Sequence, residues 1–215
     1  MNKNKHYSKR LDSILKELAK LYPNPRSELN FNNPYELVVA VALSAQCTDK
    51  KVNEVTRPLF KLYPSFLALS KAKLDDIEKC IKQVNYYKSK AKNILLMAQM
   101  VTNQFKGILP TTHDELVTLP GVGNKTANVV LSELDIQPAF PVDTHVFRVS
   151  KRLNLSTGAN VKVVEEQLKK KFEPKLWRPL HHWLIFHGRR VCKAQNPNCS
   201  ECTISKLCPS RTKLK

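Results

Sequence analysis

Glycine is scarce in this chain, with 5 among 215 residues. A fold rich in strands and tight turns needs more, so a helical architecture is favoured from the outset. Acidic residues are also few: 18 Asp and Glu stand against 36 Lys and Arg, leaving a formal charge of +18 and a pI near 9.7. Such an excess argues for a polyanionic partner, chiefly nucleic acid, and against an acidic or uncharged one. No run of about 18 apolar residues occurs, which excludes a membrane-spanning helix. The opening MNKNKHYSKR is basic but no apolar core follows it, so no secretory address is expected. A cytoplasmic, reducing setting follows, with the nucleoid as the location in a bacterium. There, clustered cysteines point to metal rather than to disulfides.

Hydrophobic periodicity is helical throughout. Leu11, Ile14, Leu15, Leu18 and Leu21 recur at helical spacing before Pro23. In NNPYELVVAVALSAQ, Asn33 is the expected N-cap and Pro34 lies in the first turn. The apolar run behind them is almost unbroken, which predicts a buried central helix. VNEVTRPLFKLYP, KLDDIEKCIKQV and the longer YKSKAKNILLMAQMVTNQF read as further helices. Thr112 and Glu115 have capping-box spacing before a helix that should end at Pro120. VDTHVFRVSKRLN, VKVVEEQLKKKF and LWRPLHHWLIFHGRRVC continue the pattern. Strand-like alternation is nowhere sustained, and the fold class is all-α.

Two of the five glycines fall within LPGVGNKTANVV, residues 119–130. Leu116 to Leu119 should close one helix and Lys125 to Leu134 form the next, with Pro120, Gly121, Val122 and Gly123 as the turn. Such a helix–hairpin–helix presents free backbone N–H groups at a helix N-terminus, and those suit a phosphate. It would grip a nucleic-acid backbone without reading bases. As a plain helix corner, the same glycines would only make the turn. Lys125 lies in the first turn of the second helix. A cation is electrostatically misplaced at this end, and the same field favours the neutral amine. A neutral lysine is a nucleophile suited to Schiff-base formation, although on an exposed side chain the misplacement costs only a few tenths of a kcal/mol. Asp143, eighteen residues on, follows Pro141 and precedes a helical pattern. It is an obvious N-cap. Near a neutral amine it could also accept a proton or stabilise a developing cation.

Cys192, Cys199, Cys202 and Cys208 form C-x6-C-x2-C-x5-C. Four thiolates bind either zinc or an iron–sulfur cluster. The six-residue first gap, KAQNPN, departs from the paired short gaps of structural zinc sites. Arg189 and Arg190 precede it, so a metal-held loop carrying cations could dock on phosphate. Cys47 and Cys80 lie outside the pattern on helical segments, where buried packing is the expected role.

LPGVGNKTANVVLSE followed by PAFPVDTHVFRVSKRL resembles the helix–hairpin–helix DNA glycosylase superfamily. Its hairpin lysine resembles specifically the endonuclease III branch, which removes oxidised pyrimidines from duplex DNA and then cuts the strand. The resemblance covers nearly the whole chain. It implies that Lys125 is the nucleophile and Asp143 its acidic partner. It also implies that the four cysteines hold a [4Fe–4S] cluster; because nothing in glycosyl transfer needs electrons, a structural role is favoured over a redox one. By the same resemblance Gln46 reaches into the space left by an extruded base, with Cys47 at the intervening small position. A second loop, VNYYKSKAKNI, would wedge the duplex. Here Asn85 stands where the family has glycine, and Asn tolerates a left-handed backbone; the apolar wedge position is Tyr86. The implied architecture is a six-helix domain over 27–137 and a second helical domain formed by 1–26 plus 138–215. The second carries the cluster, and the active site lies in the cleft between the two. The implied partner is damaged double-stranded DNA, met by a monomer with no small-molecule cofactor beyond the cluster. Two rivals remain: another lesion specificity on the same scaffold, such as pyrimidine dimers or mismatched thymine, and a non-catalytic, metal-stapled DNA-binding module.

Overall fold

The computed structural model describes residues 9–211. The basic opening segment over residues 1–8 lies outside the described residues. Eleven α-helices follow in chain order among the described residues: α1 (Lys9–Leu21), α2 (Pro34–Leu43), α3 (Asp49–Leu62), α4 (Phe66–Ser70), α5 (Leu74–Ile81), α6 (Tyr87–Gln104), α7 (His113–Leu116), α8 (Asn124–Glu133), α9 (Thr144–Arg152), α10 (Val161–Lys171) and α11 (Pro174–Arg190). A short 3-10 turn, Ser205–Leu207, comes last. No strand occurs among the described residues, in agreement with an all-α fold. None of these helices is long and apolar enough to cross a membrane.

The chain divides into two compact units. Ser27–Gln137 forms one of them and holds α2 to α8. Its centre is α2, where every residue from Tyr35 to Leu43 is buried. An all-round apolar helix has no polar face to offer water and must be surrounded; here α3, α6 and α8 pack around it. Asn33 starts this helix as its spacing predicts, its side chain accepting the Glu36 N–H at 2.9 Å. The Glu36 carboxylate reaches back to accept from the Asn32 N–H at 2.7 Å and from the Asn32 side-chain amide at 2.9 Å.

Residues 9–26 and 138–211 form the other unit. α11 packs against α9 and α1. The core gathers Ile14 and Leu18 of α1 with Phe140, Phe172, Leu180 and Leu184, all of them fully buried. The α1 stripe therefore behaves as its period demands: Leu11, Ile14 and Leu18 go inside, while Leu21 at the helix end is 38% exposed.

The helix before the hairpin is shorter than its sequence suggests. α7 ends at Leu116 and not near Pro120. Thr118 and Leu119 close tighter turns, bonding to Glu115 O and Leu116 O at 3.1 Å each. The reason is local: Pro120 supplies no N–H, and its ring disfavours helical geometry at Leu119. Thr112 does cap α7, its hydroxyl oxygen accepting the Glu115 N–H at 3.3 Å. Its hydroxyl also donates to the Glu115 carboxylate at 2.6 Å, so the glutamate meets the Thr hydroxyl.

Candidate functional site

The hairpin between α7 and α8 is fixed by three residues with different tasks. Gly121 adopts φ +81 and packs so closely on α6 that an added Cβ would stand 3.0 Å from the Asn93 Cβ. Only glycine meets both demands without strain. Val122 is buried at 5% exposure, and its N–H is bonded to Leu119 O at 3.0 Å. It anchors the loop in the core and presents nothing outward. Gly123 is the N-cap of α8, where no side chain caps the helix. A Cβ built there meets no heavy atom within 4 Å. The start of α8 is thus an uncapped helix N-terminus reached through open space. Lys125, exposed, projects from that first turn.

Gln46 and Tyr86 lie 40 residues apart in sequence on two loops that the fold ties together. The Asn85 side-chain amide donates to Gln46 O at 2.8 Å. Lys90, in the second turn of α6, is 8% exposed. Its ammonium donates to Leu43 O at 2.9 Å and Ala45 O at 2.6 Å, satisfying carbonyls at the C-terminal end of α2 where a cation is favoured. Burial pulls the Lys90 amine below the ordinary lysine range, with the Cys47 thiol acting in the opposite sense. Both loop residues have left-handed backbones, φ 54 at Gln46 and φ 58 at Tyr86. This corrects the expectation for Asn85: the left-handed residue is Tyr86, which is also the N-cap of α6, and Asn85 instead uses its amide to hold the neighbouring loop. Tyr86 is 67% exposed. Gln46 is exposed as well. Nothing in local sequence marks Lys90 as the tie, since one lysine in a basic helix looks like any other. Cys47 and Cys80 are half-buried and packed against this unit's core.

In the other unit, Asp143 caps α9, its carboxylate accepting the Val146 N–H at 2.7 Å. One turn on, Arg148 donates from Nε to Cys192 O at 3.2 Å and from Nη2 to Gly188 O at 3.0 Å. Arg152 donates to Lys193 O at 2.6 Å and Ala194 O at 2.9 Å, and its Nη1 lies 3.4 Å from Cys192 Sγ. The helix that begins at Asp143 therefore grips the end of α11 and the start of the cysteine loop. The signal was the i,i+4 spacing of two arginines on α9, which a sequence reading passes over as surface charge. His145 lies beside this grip, 3.2 Å from Arg148 Nη2. Burial holds its imidazole below the usual range, against the pull of the Asp143 carboxylate. Lys125 belongs to the Ser27–Gln137 unit and Asp143 to this one.

Cys192, Cys199, Cys202 and Cys208 are free thiols lining one partly open pocket. His187, Leu153, Pro197 and Arg211 are also part of its wall. No three His, Cys, Asp or Glu side chains among the described residues are gathered as a metal-ion site; the thiols are arrayed around the pocket. Burial raises the Cys202 thiol above its usual range; the Ile204 N–H opposes this, and the charges of the other three cysteines add to it. Cys208 is raised too, again mainly by burial. Four crowded soft donors that repel one another as thiolates are stabilised by a cationic, thiophilic guest. His187, part of this wall, is buried at 2% exposure, and burial holds its imidazole down to about 4.

Residues 39–174 match the model of the HhH-GPD superfamily base excision DNA repair proteins. The chain is 46% identical over 204 residues to Endonuclease III of Bacillus subtilis (strain 168), covering 93% of this chain and 92% of that one. Against Endonuclease III of Escherichia coli (strain K12) the identity is 42% over 207 residues, with 96% and 98% covered. Among solved structures, a trapped Endonuclease III–DNA covalent intermediate superposes with a TM-score of 0.89 at 42% identity, covering 97% of this chain and 99% of that one.

Proposed function

The chain belongs to the HhH-GPD superfamily of base excision DNA repair proteins, and from this we propose that it removes oxidised pyrimidines from duplex DNA and cleaves the abasic site it creates. The observation that carries the proposal is Lys125, an exposed amine in the first turn of the uncapped helix that follows the glycine hairpin. An Endonuclease III of 42% identity has been caught in covalent linkage to DNA, which calls for a nucleophile of this kind.

In the proposed reaction the basic surface holds duplex DNA through its phosphates. The hairpin contributes the N–H groups at the start of α8, reached past Gly123. Gln46 and Tyr86, exposed on two tied loops, enter the stack that the extruded base leaves; an amide pairs with an orphaned base edge, and an aromatic ring stacks. The Lys125 amine attacks C1′ of the sugar, forming a C–N bond as the glycosidic bond breaks and the base departs with its electron pair. Asp143 stabilises the positive charge developing on the sugar and accepts a proton from the lysine. Nitrogen then expels the ring oxygen to give an imine. The imine acidifies C2′; its proton leaves, and the electrons expel the 3′ phosphate in a β-elimination. No water is consumed in cutting the strand.

The cysteine pocket fits a [4Fe–4S] cluster: four free thiols line one cavity, with the Arg152 guanidinium beside one of them and the His187 imidazole beside another. Cys192, Cys199, Cys202 and Cys208 would hold the group, which supplies four metal–thiolate bonds that fix the loop. Arg148 and Arg152 pass that order to α9 and so to Asp143. Damaged duplex DNA is the proposed partner, and the cytoplasm, at the nucleoid in a bacterium, the proposed setting.

Borohydride trapping tests the nucleophile. Wild type should become covalently attached to an oligonucleotide carrying an oxidised pyrimidine, and Lys125→Gln should not. Equal trapping by the Gln variant would remove Lys125 from the mechanism. A panel of single-lesion oligonucleotides tests the base preference, with pyrimidine dimers and mismatched thymine as the competing substrates. Absence of nicking at abasic sites would leave a DNA-binding module only.

A further inference from the structure

A histidine that is 2% exposed between the apolar core of its unit and the cysteine pocket needs a reason, because leucine or phenylalanine would fill the space without polar atoms to satisfy. Both ring nitrogens of His187 have partners. Nδ1 lies 3.3 Å from the Tyr22 hydroxyl, and Nε2 lies 3.6 Å from Cys202 Sγ. Tyr22, just past α1, is itself immobilised. Its carbonyl accepts the Trp183 indole N–H at 3.0 Å. Its ring meets Phe186 edge-on at 5.7 Å between centroids and lies 5.6 Å from the Arg190 guanidinium carbon. Nothing in the glycosylase and lyase chemistry uses this chain of contacts.

We infer that Tyr22 and His187 form a fixed hydrogen-bond relay that ends on Cys202 and tunes the metal group held by the four cysteines. The inference rests on the cluster reading given above. A metal-bound thiolate only accepts, so Nε2 must carry the proton and donate it. Nδ1 is then the acceptor, and the Tyr22 hydroxyl donates to it. Tyr22 selects the tautomer, and the tautomer aims an N–H at one sulfur. A hydrogen bond to sulfur withdraws electron density from the iron–sulfur bond and favours the reduced, more negative form of a cluster. His187 is thus a positioning and tuning residue, and it makes the Cys202 corner the weaker electron donor. It also couples the pocket to the N-terminal part of the chain, since Tyr22 lies 165 residues before His187.

The test compares wild type, His187→Phe, His187→Gln and Tyr22→Phe, each purified anaerobically with its cluster. Two quantities are read: the midpoint potential of the cluster by voltammetry of DNA-free protein, and the Fe–S(Cys) stretching bands by resonance Raman. His187→Phe should shift the potential negative and move one stretching band to higher frequency. His187→Gln keeps an N–H donor at a similar reach and should return both readings toward wild type. Tyr22→Phe retains the ring packing and should shift the potential in the same direction by a smaller amount. Should His187→Phe fail to fold, the Tyr22 and Gln variants carry the same comparison. A residue that only filled space would lower cluster content without altering the potential of the clusters that remain, and that outcome overturns the relay. A Gln variant displaced as far as Phe overturns it as well. A wild-type protein with no visible absorbance near about 400 nm would overturn the cluster reading and the relay with it, whereas a wild-type cluster indifferent to all three substitutions removes the relay alone.

Discussion

Alanine at the two hairpin glycines should separate folding from DNA binding. At Gly121 the backbone is left-handed and an added methyl would sit 3.0 Å from the Asn93 Cβ. The left-handed conformation alone costs a non-glycine residue roughly 1–2 kcal/mol, and the contact with a helix-borne Cβ adds to it. Gly121→Ala should therefore cost about 2 kcal/mol. For a chain of this size, that lowers the melting temperature by about 4–8 °C. At Gly123 the backbone is extended, with φ −94, and the new methyl would meet nothing. The cost there is only that of a poor N-cap residue, below about 1 kcal/mol. But the methyl would stand in the open approach to the start of α8. If a phosphate docks there, one charge-assisted hydrogen bond worth about 1.5 kcal/mol is weakened, and affinity for duplex DNA falls about tenfold. Circular dichroism melting gives the first quantity and fluorescence anisotropy with labelled duplex gives the second. Ionic strength must be held constant, since phosphate contacts are strongly salt-dependent. Wild-type DNA affinity in Gly123→Ala would refute phosphate approach on that side, and an unshifted melting point in Gly121→Ala would refute the packing argument.

Two further substitutions probe residues with double duties. Asp143→Asn retains an N-cap of equal quality, so its stability should stay within about 0.5 kcal/mol of wild type while Asp143→Ala loses about 1 kcal/mol; both should turn over abasic DNA poorly, and full turnover by the Asn variant would leave Asp143 as a cap only. Lys90→Met fills the same space but strips the ammonium from Leu43 O and Ala45 O. It should cost about 2 kcal/mol and loosen residues 44–48, seen as faster limited proteolysis there; an unchanged cleavage pattern would show that Asn85 alone holds the loop.

Much of the architecture was legible because it depends on local pattern. A buried central helix follows from an apolar run with no polar face, and its start from Asn33 and Pro34. The α1 stripe follows from helical spacing, and the hairpin from two glycines and a proline in four residues. Helix ends were less legible. α7 stops early because Pro120 constrains the residues before it, a balance that periodicity does not weigh. The substitution of Asn85 for a family glycine suggested a left-handed residue at that position, yet the strained conformation falls on Tyr86.

The sequence by itself determined the helical class, the excess positive charge, the hairpin and the spacing of four cysteines. These are properties of composition and of short segments, where side-chain chemistry acts on neighbours in the chain. Only the tertiary structure decided which long-range contacts give those segments their setting. Lys90 and Asn85 bind the Gln46 loop across some 40 residues. Arg148 and Arg152 clasp the cysteine loop across about as many, and Tyr22 reaches His187 from the far end of the chain. A lysine, an arginine or a histidine carries no mark of its partner in its own neighbourhood. Hydrogen bonds between distant segments form only where packing of the apolar core brings donor and acceptor within 3 Å or so, and that packing is a property of the whole fold.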